Sequence, residues 1–199
     1  MHFYIPLIIF SLVSAVTPGP NNISLMMSSS AHGIRKTIPQ CFGVILGYSV
    51  MLFIIGSGLG AIFIKFPIIH TIIKIFGSGF ILCMAWKIIN ATIEKEGVIR
   101  GKPLTFMQAL LFQWVNPKGL VSAISTISAY TDSHSHNSMM SQILIITLIA
   151  LVVTSIGAAI WVFGGTIIKK LLKNNVHLKI FNYVMGAFLA LSVIMIIFF

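Results

Sequence analysis

Acidic side chains are almost missing from this chain: Glu94, Glu96 and Asp132 are the only three among 199 residues. All three fall in polar loops, so no carboxylate pair stands inside an apolar segment for acid and base catalysis, and no Ser/His/Asp arrangement is present. Charge of either sign is scarce, at 8% of residues, against about 25% in an ordinary soluble domain. A chain this short cannot hide 57% hydrophobic residues in a core while offering so few charges to water, which excludes a soluble fold. Cysteine is nearly absent too. Cys41 and Cys83 are far apart in apolar sequence and neither sits in a CxxC pair, which excludes a disulfide framework and a local redox couple.

What fills the chain instead is long uncharged apolar sequence. No Asp, Glu, Lys or Arg occurs in residues 1–34, 37–64, 133–168 or 180–199, and about 20 residues of helix cross a hydrocarbon core. The runs and their polar breaks predict an all-α polytopic membrane protein, one transmembrane domain over 1–199. Its six transmembrane helices are expected near 4–29, 39–64, 68–89, 104–130, 140–166 and 179–199. The amino terminus lacks a positive n-region, so the first segment is read as part of the mature chain, with a cleaved signal peptide as the alternative.

The basic residues sort by loop. Arg35 and Lys36 follow the first span, Lys87, Lys95, Arg100 and Lys102 the third, and Lys169, Lys170, Lys173 and Lys179 the fifth, while Lys65 and Lys74 alone face the other side. The positive-inside rule makes the first group cytoplasmic and leaves both termini outside. Placement beside hydrophobic runs makes the bilayer the partner of this charge and argues against nucleic acid. Trp86 and Trp161 fall at cytoplasmic ends, and Tyr4 and Tyr130 at external ends, where amphipathic rings favour the interface.

Only the first and fourth spans carry a proline deep inside, at Thr17-Pro18-Gly19-Pro20-Asn21 and Asn116-Pro117-Lys118-Gly119, and Pro18 and Pro117 are 99 residues apart. The same shift lays the second span on the fifth, and "FGSGFILCMA" (76–85) resembles "MGAFLALSVI" (185–194). Three helices per half is an odd number, so the halves, about 1–99 and 100–199, would enter the membrane from opposite faces as two inverted three-helix repeats. The alternative is chance similarity of hydrophobic segments. Inverted repeats with interrupted helices in corresponding places point to a secondary transporter with its substrate site at the midplane.

Proline removes a main-chain donor and disturbs the carbonyls one turn earlier. In lipid each orphaned group costs several kcal/mol unless protein, water or ligand supplies its bond. The candidate substrate-binding set is therefore Thr17, Pro18, Gly19, Pro20, Asn21 and Asn22 with Gln113, Asn116, Pro117 and Lys118. An ammonium at midplane depth normally faces a polar cavity or a partner. With no intramembrane carboxylate to neutralise it, Lys118 either binds a substrate carboxylate, or snorkels or tethers a freed carbonyl as a structural group. Proline kinks serving packing alone are the corresponding alternative for Pro18 and Pro117.

Other features carry less. "DSHSHNS" (132–138), for which metal contact is the alternative, and Glu94-Lys95-Glu96 read as solvated loops; Gly43 and Gly47, and Gly56, Gly58 and Gly60, read as close-packing positions. Trp114 is too deep for an interfacial belt and either lines the pocket or packs in the core.

With these residues in view, the chain resembles the LysE/RhtB family of bacterial amino-acid exporters. The resemblance rests on "TPGPNN" (17–22), "HGIRKTIPQCFGVILG" (32–47), "IFGSGFILCMAWKI" (75–88) and "FQWVNPKG" (112–119), in that order and covering most of the chain. "AWKI" and "KPLTFMQALLFQWVN" (102–116) look most like the cysteine/O-acetylserine exporter branch. Family members usually carry alanine or a similar small residue after NPK, and Gly119 departs mildly from that. The resemblance implies a multi-pass protein of the bacterial inner membrane that exports amino acids or close derivatives, driven by the proton gradient. It implies no enzyme activity, no cofactor and no metal, a small-molecule amino-acid substrate, and it admits a homodimer. A passive channel and a non-transporting binding or assembly subunit are the alternatives.

Overall fold

The structure is a computed structural model that describes residues 4–59, 65, 67–90, 103–132, 138–171 and 175–198. Among these the chain is helical: α1 (Tyr4–Val16), α2 (Pro20–His32), α3 (Ile34–Ile54, running on into a π turn at Ile55–Leu59), α4 (Pro67–Ile89), α5 (Phe106–Val115), α6 (Pro117–Tyr130), α7 (Met139–Leu171) and α8 (Asn175–Phe198). Ile34–Leu59 and Met139–Ile168 are long and apolar enough to cross a membrane, and α1 with α2 make a third such segment, bent by 51° at its break.

Apolar side chains cover the outside. Ile5, Ile9, Val13 and Val16 form an exposed stripe on α1, and Leu148, Val152, Ile156, Ile160, Phe163 and Ile167 form one on α7. Helical spacing puts each set on one face, and such area in water would be an adhesive patch, whereas against lipid it is at home.

Two cores lie on either side of the breaks. Leu7, Met51, Leu52, Leu120, Ala123 and Ile146 join α1, α3, α6 and α7. Leu25, Val44, Ile45, Ala109, Ala158 and Val162 join α2, α3, α5 and α7. Thus α3 and α7 run unbroken through both cores, while α1 gives way to α2, and α5 to α6, between them. A third cluster, Ile23, Ile81, Ala85 and Val193, docks α4 and α8 against α2.

Close approach depends on small residues, as it does generally between membrane helices. A Cβ at Gly43 would run into Phe106 O and stand 2.8 Å from Ala109 Cβ, and one at Gly47 would stand 2.8 Å from Leu110 Cα, so these two glycines are what let α3 lie along α5. Gly157 does the same for α7 against Ala15, and Gly165 for α7 against α2.

Two boundaries differ from expectation. The second segment was expected from residue 39, yet α3 starts at Ile34, because Gly33, at φ 82°, turns the chain sharply after α2. Arg35 and Lys36 then stand exposed in its first turn. The fourth segment, expected near 104–130 with a proline break, starts at Phe106 and is broken at Asn116 into two helices. Its start is fixed by Thr105, whose Oγ1 accepts from Gln108 N while Gln108 Oε1 accepts from Thr105 N, a reciprocal cap.

Candidate functional site

The site begins with missing N–H groups. Pro18 has no donor for the Ser14 carbonyl and Pro20 none for Val16. α1 therefore ends with Thr17 N–H and Oγ1–H both on Val13 O (2.9 and 2.6 Å). Gly19 is extended (φ −169°, ψ 173°), and α2 restarts with Pro20 in its first turn, where the absent donor costs nothing.

The carbonyls left at the end of α1 are taken by side chains from afar. Lys118 Nζ donates to Thr17 O (2.9 Å), Ser14 O (3.3 Å) and Pro18 O (3.4 Å). Asn22 Nδ2 reaches back to Ala15 O (2.8 Å) and Thr17 O (2.9 Å), and Trp161 Nε1 also donates to Ala15 O (3.2 Å). An ammonium at a helix carboxyl end sits at the negative pole of the helix dipole, which favours it without any carboxylate.

The second break is built alike. Asn116 is extended (φ −82°, ψ 102°), its N–H closes α5 on Phe112 O (3.0 Å), and Pro117 opens α6. The first main-chain bonds into the restarted helices are Ile23 N–H to Gly19 O (2.9 Å) and Leu120 N–H to Asn116 O (3.0 Å). Neither α2 nor α6 has a side-chain cap, so the N–H groups of Asn21, Asn22, Lys118 and Gly119 open their amino ends unpaired.

A cavity of about 80 Å³ lies between the breaks. Since one water needs about 10–15 Å³, it holds several waters or a small polar solute. Of the residues expected from sequence, Gly19, Pro20, Asn21, Asn22, Asn116 and Lys118 line it. Thr17, Pro18, Gln113 and Pro117 do not. Thr17 is exposed with its hydroxyl turned back on α1, and only its carbonyl serves the site. Gln113 is fully buried in a reciprocal amide pair with Asn21 (2.7 and 3.2 Å) and also donates to Ala109 O (2.8 Å), so it is a strut between α2 and α5.

Sequence reasoning missed the hydroxyl wall: Ser11, Ser14, Tyr48, Ser122 and Thr154 line the same cavity. Tyr48 Oη donates to Ser122 Oγ (3.2 Å), and Ser14 Oγ lies 3.4 Å from Ser122 Oγ. One signal existed. Ser14 is one helical turn before Pro18, and Ser122 one turn after Lys118, on the faces that the breaks share. Trp161, expected at a cytoplasmic interface, is instead bound to the break. Trp114 packs against the core formed by Leu7, Met51 and Leu120 rather than lining the cavity. Residues 133–137 of the His-containing loop and Glu94-Lys95-Glu96 lie outside the described residues.

Lys118 is thus no bare charge. Its three N–H donors face three carbonyl oxygens, and it does this from the wall of the cavity.

The model of the LysE type translocator family matches residues 12–197, a stretch that contains both breaks and nearly all of the chain. The chain belongs to the LysE type translocator family. Two similar proteins are both named cysteine/O-acetylserine efflux protein. The one from Escherichia coli strain K12 is 24% identical over 164 residues, covering 82% of this chain and 83% of that protein. The one from Salmonella typhi is 26% identical over 161 residues, covering 81% of each. No solved structure matches. This translocator is accordingly a membrane transport protein, related at a distance to proteins named for cysteine/O-acetylserine efflux.

Proposed function

We propose that this LysE type translocator exports a small polar amino acid from the bacterial cytoplasm across the inner membrane, at the expense of the proton gradient. The observation that carries the reading is the meeting of two proline-broken helices, whose Pro18 and Pro117 are 99 residues apart in sequence, at one cavity. Facing half-helix ends at a break are how secondary transporters present polar main-chain groups to a solute inside a membrane.

We read the chain as six spans in two inverted repeats with both termini outside. The packing supports this: if α1/α2 corresponds to α5/α6, α3 to α7 and α4 to α8, then α3 with α7 and α4 with α8 are self-matching pairs. α3 packs on α5 and α6, and α7 on α1 and α2, though α3 leans mainly on α5 and α7 mainly on α2, which are not corresponding parts of the two broken spans. Both broken spans lie against the opposite repeat's unbroken helix.

In the binding step the substrate carboxylate takes the open N–H groups of Asn21, Asn22, Lys118 and Gly119, aided by the positive ends of α2 and α6. Asn116 is buried and its Oδ1 has no partner, so it accepts from the substrate ammonium. The carboxylate also draws the Lys118 ammonium from the α1 carbonyls, which ties binding to the hold of α6 on α1. The cavity is lined by residues of α1, α2, α3, α6 and α7, and on the α2 side Asn21 with Gln113, Ser24 with Gln40 (2.8 Å) and Ser28 with Thr37 (3.2 Å) form a polar seam. Opening of the α2 seam admits the next substrate.

Cells fed dipeptides and expressing this chain should accumulate a small polar amino acid in the medium, and Lys118→Met at equal membrane abundance should reduce that accumulation at least about tenfold, the loss of roughly 1.4 kcal/mol or more of site free energy. Unchanged efflux in Lys118→Met would sink the reading.

A further inference from the structure

We infer that the carboxyl end of α1 is a monovalent-cation site whose resident ion is the chain's own Lys118 ammonium. The proposal concerns the carbonyl cage alone and stands whether or not the chain exports amino acids.

Three main-chain oxygens, from Ser14, Thr17 and Pro18, lie within 2.9–3.4 Å of one point, and that point is Lys118 Nζ. Each lacks a main-chain donor for a stated reason: Ser14 O because residue 18 is proline, Thr17 O and Pro18 O because the chain leaves the helix before a donor four residues on can reach them; Thr17 O also accepts from Asn22 Nδ2 (2.9 Å). Converging carbonyls at a half-helix carboxyl end are the ligand set that membrane transporters offer to a small coupling cation. No carboxylate lines the cavity among the described residues, so the oxygens themselves hold the charge.

The room for the tether is also built. Gly19 has no side chain, and a Cβ there would stand 2.8 Å from Lys118 Cδ and 3.0 Å from Nζ. Counting from Pro18 and Pro117, Gly19 and Lys118 hold the same place in the two halves, so one half supplies the cation and the other the vacancy it crosses. An ammonium with three donors on three acceptors leaves no ligand for a diffusible metal ion. The native chain therefore needs no sodium or potassium at this point, and removing Nζ opens a site for a free ion of similar size.

The test is thermal unfolding of purified full-length chain in sodium, potassium, ammonium, ethylammonium and choline chlorides at equal ionic strength, a readout that involves no transport. The native chain should unfold at one temperature in all five salts. Lys118→Met keeps the stem and vacates only the Nζ position, so ammonium or potassium should raise its Tm by about 2–4 °C over choline at saturating salt. Lys118→Ala vacates the stem as well and should respond to ethylammonium at least as strongly as to ammonium. If either variant cannot be purified folded, the other decides. Variants that unfold alike in ammonium and choline, or a native chain that responds as they do, would overturn the proposal.

Discussion

Lys118 lies across Gly19, close enough that a single added carbon would stand 2.8 Å from its Cδ. Gly19 is extended, a conformation open to any residue, so the backbone itself does not demand glycine there. What demands it is the ammonium's path to the α1 carbonyls. The side chain in the way is flexible and gives way before any helix does.

Gly19→Ala should therefore leave the protein folded while pushing Nζ out of its cage. Membrane abundance should stay near native, Tm should fall by an amount similar to that in Lys118→Met because the same carbonyls lose their donor, and efflux should fall at least about tenfold. A variant that exports normally would show that the path over Gly19 is dispensable.

The Asn21 and Gln113 pair ties α2 to α5. Truncating one partner strands a buried amide, at a cost of about 1–3 kcal/mol, whereas removing both strands none. Asn21→Ala and Gln113→Ala should each lower Tm, and the double variant should lower it by less than the two together. Strict additivity in that cycle would show that the two amides act independently.

Neighbouring glycines on α7 should behave in opposite ways. A Cβ at Gly164 meets nothing within 4 Å, while one at Gly165 runs into Met26 O and Ser29 Oγ on α2. Gly164→Ala gains up to about 1 kcal/mol of helix preference, and Gly165→Ala loses about 1–3 kcal/mol to overpacking. Tm values for the two variants check the sign of each.

Tyr48→Phe removes the phenol from the hydroxyl wall and leaves Ser122 its contact with Ser14. The stability loss should be about 1 kcal/mol. If this wall contacts the substrate, the concentration for half-maximal export should rise several-fold while the maximal rate holds. A changed maximal rate at constant half-saturation would place Tyr48 in the conformational step instead.

Much of this arrangement was legible in the sequence because its signals are local. Scarce charge and long apolar runs announce membrane helices, and two prolines spaced half a chain apart announce paired breaks. Other parts depend on packing between distant helices. Nothing near Trp161 announces a bond to Ala15, 146 residues away, and nothing near Gln113 shows that its amide faces Asn21 rather than the cavity. Both follow from how closely α7 and α3 approach their neighbours, which glycines fix only once the helices are docked. The start of α3 was hidden for a different reason: Arg35 and Lys36 look like loop residues, yet charged side chains are comfortable on an exposed first turn that continues beyond the apolar run.

Trp161 offers a use beyond architecture. Its indole N–H is bonded to the carbonyl of Ala15, so this ring is an optical reporter attached to the end of α1. Replacing Trp86 and Trp114 by phenylalanine would leave a single tryptophan, at the break, to be excited selectively. A shift in its emission on adding candidate solutes would then register their arrival in real time, without any label.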